Sequence, residues 1–170
     1  DTDAVLVGIG TVIADDPHLD VRIEGYGGPQ PRPIVVSGRR SLPSRAALAE
    51  RDPIVFTCEE AAAEHGRGFH AVSMPGSDGV DLENAVKYLG SEDVLTLLIE
   101  GGPAIAGSAL RAGIVDRVAL YYGARLAAGT GLPAIAGTLE TIGDTLDVSI
   151  TSVTMLGPDF RVDAIIEKEV

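Results

Sequence analysis

The sequence of 170 residues contains one cysteine and no tryptophan. Cys58 alone excludes an internal disulfide and suits a reducing compartment. No apolar run approaches the ~20 residues that a membrane-spanning helix needs, and no signal-peptide pattern is visible. These absences predict a soluble cytoplasmic domain.

Positive charge is also scarce, because 13 Lys and Arg face 25 Asp and Glu, for a formal net charge of −12 at pH 7. A chain this acidic repels phosphate backbones and anionic lipid headgroups, so neither nucleic acid nor a membrane surface is an expected partner. A small anion can still bind where local dipoles outweigh the net charge. Metal is not expected either, since His18, His65 and His70 share no metal-ligand spacing with one another or with Cys58.

Apolar residues are plentiful, at 45% of the chain, which suffices for one domain with a continuous core. Several short runs rich in Val and Ile are mostly apolar rather than alternating, a pattern typical of strands covered on both faces in a parallel sheet. The predicted strands of this kind are Ala4–Val7, Ile34–Val36, Ile54–Thr57, Ala71–Ser73 and Val94–Ile99.

Helices are predicted between these strands. Arg45–Glu50 is short and rich in alanine. A second helix begins near Asp81, with Gly90 as its expected stop. A third begins at Pro103, which suits a first helical position, and Gly113 closes it.

The pattern changes after Gly113, where longer and partly alternating strands are predicted over Arg117–Tyr122, Asp147–Met155 and Arg161–Glu167. The turn-forming letters LGPD join the last two into a terminal antiparallel hairpin. The segment 127–143 is predicted to be a long loop with a short helical turn. Together these elements predict an α/β sandwich with a mostly parallel sheet, helices on its faces and an antiparallel C-terminal edge.

The stretch LIEGGPAIAGS, residues 98–108, predicts a ligand site. If its strand ends at Ile99, then Glu100, Gly101 and Gly102 form a crossover at the carboxyl end of a strand, where open α/β sheets bind ligands. Two glycines permit unusual backbone angles, and the amides of the following helix favour an anion such as a pyrophosphate. The small residues expected to keep the approach open are Ala104, Ala106, Gly107 and Ser108. The alternative is a tight turn whose small residues serve close packing.

A second polar stretch, residues 8–22, also follows a strand. It is not a Rossmann fingerprint, because Ile13 stands where the third glycine should be. Gly8 and Gly10 predict a bend, and the acidic turn before Pro17 together with Arg22 can either recognise a polar ligand or form a solvated ion pair.

A third stretch places Arg39 and Arg40 just past a strand and Gly38. Such arginines can hold a ribose 2′-phosphate in a dinucleotide site. They can equally be ordinary surface residues.

The letters DAVLVGIGTVIADDPHLDVR and LIEGGPAIAGSALRAGIVDRVALYYGARLAAGTGLP, with GPDFRVDAII near the end, resemble the reductase domain of bacterial bifunctional riboflavin-biosynthesis deaminase-reductases. The resemblance runs over essentially the whole chain. It implies a dihydrofolate-reductase-like three-layer sandwich and NADPH-dependent reduction of the ribosyl group of 5-amino-6-(5-phosphoribosylamino)uracil to a ribityl chain. It also implies a homodimer, with the long C-terminal strands as candidate contacts.

The resemblance assigns roles residue by residue. Leu19, Arg22 and Glu100 match substrate contacts, with Arg22 as a phosphate anchor, and Glu100 and Asp15 are the two carboxylates expected near the reacting centre. The implied NADP contacts are Thr11, Asp15, Gly38 (a looser match), Gly101, Gly102, Pro103, Ala104, Ile105, Ala106, Gly107 and Ser108.

The sequence also departs from the family pattern. The family domain begins with a further strand and helix, including a lysine that meets the ribose phosphate, and nothing in residues 1–170 corresponds to them. We therefore expect one reductase domain lacking that strand and helix within residues 1–170; a missing interior strand would leave a gap in the sheet. Either that segment exists outside these residues, or the chain folds with an altered edge.

Two alternatives stay open. A related diaminopyrimidine or pterin is an alternative substrate. A non-catalytic NADP-binding domain of the same fold is an alternative class, favoured by the missing lysine segment and disfavoured by Asp15, Arg22 and Glu100.

Overall fold

The computed structural model describes residues 2–58, 69–77, 79–126, 131–137 and 145–167. Three α-helices lie in these ranges: α1 Ile9–Asp15, α2 Leu82–Ser91 and α3 Pro103–Arg111. A 3-10 helix covers Ala47–Arg51. The strands are β1 Ala4–Gly8, β2 Arg32–Gly38, β3 Ile54–Thr57, β4 His70–Ser73, β5 Pro75–Gly76, β6 Gly79–Val80, β7 Leu97–Gly101, β8 Arg117–Tyr122, β9 Val148–Leu156 and β10 Asp159–Ile166.

The main sheet contains five strands in the order β4-β3-β2-β1-β7, and every neighbouring pair is parallel. Its central strands are the apolar runs of the sequence, and all residues of β1 and β3 are buried. The prediction of a parallel sheet covered on both faces is therefore confirmed, and the bounds of β3 coincide with those predicted.

Each face of this sheet has its own core, and together they make three layers. On one face, Leu6, Ile34 and Phe56 pack with Leu89 of α2 and Ala109 of α3. On the other face, apolar side chains of α1 and of the 3-10 helix pack against the alternate positions of the same strands. The buried members of this second cluster are Val7, Ile9, Val12, Val35, Leu42, Ala46, Leu48 and Val55.

The C-terminal strands form a separate antiparallel sheet in the order β8-β10-β9. The predicted hairpin is confirmed, and Gly157 supplies the positive φ of 67° that its turn requires. The strands were expected to be an edge of the main sheet. Instead, the main sheet ends at β7 on one side and at β4 on the other, and β8 and β9 are the outer strands of the second sheet.

Helix boundaries depart from the predictions at three places. The predicted bend after Gly8 is wrong, because residues from Ile9 onward form α1. The predicted helix over Arg45–Glu50 is a 3-10 helix displaced toward the C-terminus. Gly90 does not stop α2, which runs to Ser91.

Two helix-end predictions are confirmed. The Asp81 carboxylate accepts a hydrogen bond from the Asn84 backbone N–H at 3.0 Å and so caps α2. Pro103 is the first residue of α3, and Gly113 follows its end with φ of 65°.

The predicted loop over 127–143 is described only for residues 131–137, which contain no helix or strand, and the remaining positions and the short helical turn lie outside the described residues. Along the ranges that are described, no helix has both the length and the apolar character that a membrane crossing requires.

Candidate functional site

Three neighbouring parallel strands end in glycine at the same edge of the main sheet. These residues are Gly8 of β1, Gly38 of β2 and Gly101 of β7. Because the carboxyl ends of parallel strands share one edge, the two polar stretches singled out from the sequence meet there, although about 90 residues separate them in the chain. That edge is the candidate site.

Glu100 occupies an irregular position in β7. The predicted strand end at Ile99 is wrong, because β7 continues to Gly101. Leu6 of β1 pairs with Ile99 and the next residue, Val7, pairs with Gly101, so Glu100 is an extra residue on the β7 side. Such a bulge re-aims a side chain, and here the Glu100 side chain lines a cleft together with Val5 of β1 and Leu98 of β7.

The two glycines after Glu100 connect β7 to α3. Gly101 has φ of 91°, a conformation that side chains rarely allow, and the peptide between Gly101 and Gly102 is cis. The Gly102 N–H donates a hydrogen bond to the Thr11 hydroxyl at 3.2 Å. Thr11, an expected cofactor contact on α1, therefore touches the crossover where the anion site was predicted.

The N-terminus of α3 is open to an anion. Its N-cap is Gly102, no described side chain caps it, and its first turn begins with Pro103 and contains no acidic residue. The amides of the first helical turn have no partner within the helix and carry partial positive charge. A diphosphate placed at this end would meet these amides.

Further along α3, other parts of the protein occupy the space. The prediction that Gly107 leaves an open approach is wrong, because a Cβ there would collide with the carbonyl oxygen of Ala136. The Ala136 N–H also donates to the carbonyl of Pro103 at 3.0 Å. The segment 131–137 thus crosses α3 at Gly107, where a side chain would not fit.

The neighbours of Gly107 also contact protein groups. Ile105 packs so closely against β1 that a Cβ on Gly8 would lie 2.8 Å from its Cγ1. The Ser108 hydroxyl accepts a hydrogen bond from Arg111 at 3.2 Å. Only the first residues of α3 therefore face the candidate site with free amides.

A cleft of about 640 Å³ reaches Glu100, the residue before the two crossover glycines. It brings together four residues expected to contact the substrate or the reacting centre, namely Asp15, Leu19, Arg22 and Glu100. Its remaining lining is Thr2, Val5, Asp16, Pro17, His18, Asp20, Val21, Pro31 and Leu98. Residues from the two polar stretches therefore share one cavity.

The charged residues that line the cleft are mostly acidic, namely Asp15, Asp16, Asp20 and Glu100, and Arg22 is the arginine among them. The Arg22 Nε lies 3.7 Å from Asp20 Oδ1, and the Arg22 side chain is 81% exposed. This distance is too long for a hydrogen bond. Asp20 Oδ1 has no exposed surface and no hydrogen-bond partner among the described residues, so Asp20 is a cleft carboxylate that the sequence analysis did not single out.

Gly38 ends β2 with φ of 61°, and its carbonyl accepts hydrogen bonds from the Cys58 N–H at 3.1 Å and the Thr57 hydroxyl at 2.8 Å. Arg39 and Arg40 follow it and are exposed. β2 lies two strands from β7, which corresponds to about 10 Å. Gly38 therefore lies at the same edge of the sheet as Gly101, about two strand spacings away.

Histidine and cysteine take no part in a metal cluster in the portion of the chain that is described. His18 lines the cleft, and the His70 ring nitrogen lies 3.2 Å from the Tyr88 hydroxyl. His65 lies outside the described residues.

Comparison with known proteins gives a consistent set of similarities. A family model described as RibD C-terminal domain matches residues 1–160. The riboflavin biosynthesis protein RibD of Aquifex aeolicus is 32% identical over 159 residues, which cover 92% of this chain and 44% of that protein. The 2,5-diamino-6-ribosylamino-4(3H)-pyrimidinone 5′-phosphate reductase of Archaeoglobus fulgidus is 30% identical over 148 residues, which cover 79% of this chain and 68% of that protein.

Among solved structures, a diaminohydroxyphosphoribosylaminopyrimidine deaminase/5-amino-6-(5-phosphoribosylamino)uracil reductase from Thermotoga maritima superposes with a TM-score of 0.82 at 26% identity. The match covers 97% of this chain and 45% of that one. The chain thus spans less than half the length of the RibD relatives it matches. The expected dihydrofolate-reductase-like three-layer fold is confirmed.

Proposed function

Because the chain belongs to the RibD C-terminal domain family, we propose that it reduces the ribosyl group of 5-amino-6-(5-phosphoribosylamino)uracil to a ribityl chain at the expense of NADPH. The observation that carries the proposal is the convergence of Asp15, Arg22 and Glu100 in one cleft, with Glu100 two residues before the uncapped N-terminus of α3. A non-catalytic binding domain would not need carboxylates gathered next to a cofactor site.

The cofactor fits the crossover between β7 and α3. Gly101 and Gly102 leave the backbone without side chains there, and Thr11 closes one side through its bond to Gly102. In this proposal Thr11, Asp15, Gly38 and the residues from Gly101 to Ala106 hold the dinucleotide. Ile105 acts through its backbone because its side chain packs against β1, and Gly107 and Ser108, which contact Ala136 and Arg111, shape the site without touching the cofactor. When bound, NADPH supplies a hydride.

The choice of NADPH over NADH is assigned to Arg39 and Arg40, whose exposed guanidinium groups suit a 2′-phosphate. We expect NADPH at 100 times its Kd to stabilise the protein by about 2.7 kcal/mol, and NADH at the same concentration to stabilise it less. Thermal unfolding with each nucleotide measures this. Equal shifts would remove the 2′-phosphate role, and no shift with either would contradict the cofactor site.

The substrate occupies the cleft between Glu100 and the segment after α1. Arg22 is exposed enough to meet the substrate phosphate. Leu19 lines the cleft and also packs against the core, so it offers a fixed apolar contact. The carboxylate of Glu100 faces the sugar hydroxyls, which can donate hydrogen bonds to it.

The reaction requires that the ribose ring open to a form with an electrophilic C1′. The bound nucleotide would supply the hydride for C1′, and one proton in total would complete the ribityl product. Glu100 is the group assigned to moving a proton on the sugar, and Asp15 is the second carboxylate near the reacting centre. The contribution of the chain is to hold both reactants in register.

The diaminopyrimidine 5′-phosphate is the second candidate substrate, and the reductase of that name from Archaeoglobus fulgidus favours it. The two candidates differ at one ring substituent, an oxo group or an amino group. Comparing kcat/KM for both compounds with the same enzyme decides between them.

The test of the reductase activity is the oxidation of NADPH with each pyrimidine by wild type and by Glu100→Gln. We expect the variant to lose about 100-fold or more in kcat while its Kd for NADPH stays the same, because the amide keeps the size of the side chain. Turnover unchanged in the variant would remove the role of Glu100. No turnover by wild type with either pyrimidine would contradict the proposed function.

We also propose that the protein is a homodimer associated through one face of the C-terminal sheet. On that face the paired positions of all three strands are apolar, whereas the opposite face carries Arg161 and Asp163. The apolar face comprises Val118, Leu120, Tyr122, Val148, Ile150, Val153, Met155, Phe160, Val162, Ala164 and Ile166. Ile150, Val153 and Met155 are each more than 60% exposed, which is typical of an interaction surface. We also propose a cytoplasmic location, which the single cysteine favours.

A further inference from the structure

One arginine behind the cleft binds three main-chain carbonyls. Arg51, at the end of the 3-10 helix, donates through Nη1 to the carbonyl oxygens of His18 at 2.7 Å and Leu19 at 2.8 Å. It donates through Nη2 to the carbonyl of Pro31 at 2.6 Å. His18, Leu19 and Pro31 all line the cleft, whereas Arg51 does not. The guanidinium therefore connects two parts of the cleft wall from outside.

The segment held in this way needs external support. Asp16 and Leu19 both have positive φ, of 44° and 54°, and neither is glycine. Residues in such conformations persist where the surroundings determine them. A second anchor exists at the other end of the 3-10 helix, where the Asp16 carboxylate accepts a hydrogen bond from the Ala47 N–H at 2.8 Å.

The 3-10 helix is itself fixed to the core. Leu48 has no exposed surface, and Leu42 and Ala46 just before it are also buried in the second core cluster. Five residues at ~2.0 Å rise make this helix about 10 Å long. Its two ends thus hold the cleft segment at two separated points against a rigid support.

The same wall is tied to Gln30, whose side-chain oxygen accepts a hydrogen bond from the Val21 N–H at 2.7 Å. Val21 lies between Asp20 and Arg22, so its amide reports directly on the part of the wall that carries the expected phosphate anchor.

We propose that Arg51 is a positioning residue, which sets the substrate-binding wall Asp16–Arg22 in register with Glu100 by holding the His18, Leu19 and Pro31 carbonyls. This inference rests on the proposed function. Lysine cannot reproduce this arrangement, because its donors lie on one nitrogen, whereas Arg51 uses Nη1 for His18 and Leu19 and Nη2 for Pro31.

The test compares Arg51→Lys with wild type and with Arg45→Lys, a matched change at an exposed arginine of the same segment. For Arg51→Lys we expect a loss of about 10- to 100-fold in kcat/KM for the pyrimidine, carried by a higher KM. The Kd for NADPH should change by less than about twofold, because the crossover is not touched by Arg51. The Arg45 variant should match wild type.

Hydrogen exchange supplies a readout that does not depend on turnover. In Arg51→Lys the Val21 amide should exchange faster, while the amides of β1 and β3 keep their protection. Unchanged exchange at Val21 and an unchanged KM would overturn the inference. Faster exchange along the whole chain, or failure of the variant to fold, would overturn it too, since Arg51 would then be a general structural residue.

The two proposals fail in distinguishable ways. If wild type turns over neither pyrimidine, the proposed function is contradicted, and the exchange of the Val21 amide still decides whether Arg51 holds the wall.

Discussion

In the main sheet, every residue of β1 and β3 is buried, whereas in the C-terminal sheet every residue of β9 is exposed. All three strands contain branched apolar residues, but β1 and β3 are almost continuously apolar whereas β9 alternates its apolar residues with Ser and Thr. The difference lies in what covers each sheet. Two layers of helix enclose the main sheet, and its apolar residues stabilise the fold, whereas those of β9 remain available for association.

The largest expected effect comes from truncating the enclosed sheet. Phe56 has no exposed surface and makes an edge contact with Tyr88 at 5.9 Å between ring centroids. Phe56→Ala should lower the free energy of unfolding by about 3–5 kcal/mol. Val153→Ala on β9 should cost less than about 0.5 kcal/mol in the monomer. Denaturant unfolding measures both, and similar losses would erase the distinction between the sheets.

A charge on the apolar face tests the other half of the comparison. If the homodimer forms there, Val153→Asp should weaken dimerisation by about 30-fold or more, because a central apolar contact of an interface is worth about 2 kcal/mol. Thr154→Asp, the next residue on the opposite face, is the control and should leave the dimer intact. Light scattering across a dilution series distinguishes them. A wild-type protein that is monomeric throughout would contradict the proposed dimer.

The crossover after β7 predicts a smaller effect that is confined to one backbone conformation. Gly101→Ala must place a side chain at φ of 91°, which costs about 1–3 kcal/mol, and it should also weaken NADPH binding. Gly10→Ala is the matched control, since Gly10 lies in α1 with open space around its Cβ position. That control should be neutral or stabilising by up to about 1 kcal/mol. An equal decrease in the free energy of unfolding in the two variants would contradict a specific requirement for glycine at position 101.

The smallest effect concerns the polar face of the C-terminal sheet. A hydrogen bond from the Ser152 hydroxyl, at 2.8 Å, and smaller contributions from Arg161 hold the pKa of the Asp163 carboxyl below its ordinary value. A lowered folded-state pKa stabilises the protein above the unfolded-state pKa and ceases to do so as the pH falls through the folded-state value. Ser152→Ala should therefore lower Tm slightly at neutral pH, with the difference vanishing in strong acid.

The control for that measurement is Asp163→Asn. In its background the serine change should have no pH dependence, and a difference in Tm that persisted in acid would assign the effect of Ser152 to something other than the carboxylate.

The strands of the main sheet could be predicted because burial on both faces leaves a direct mark on the sequence, as at Ile54–Thr57. The short helix α1 could not. Its N-cap is Gly8, without a side-chain bond, and it contains Gly10 and β-branched residues that disfavour helix. Packing of Ile9 and Val12 against the sheet holds it in place instead.

The expected site residues were accessible from the sequence only through the resemblance and the paired glycines. Three features depend on long-range contacts and left no local signal: the bulge at Glu100, the carbonyl of Ala136 over Gly107, and the role of Arg51 behind the cleft. Each arises from residues at least 20 positions apart or from strand register. A single sequence contains no record of such pairings.

The bond from Gly102 to Thr11 has a consequence for how the two ligands communicate. Thr11 and Asp15 belong to the same helix of seven residues, which is about 10 Å long. A nucleotide that shifts the Gly102 amide therefore also shifts Thr11 and, through α1, the residues next to the substrate wall. If both reactants bind as proposed, we expect the ligand that binds first to change the affinity for the second, and Thr11→Val to abolish this coupling.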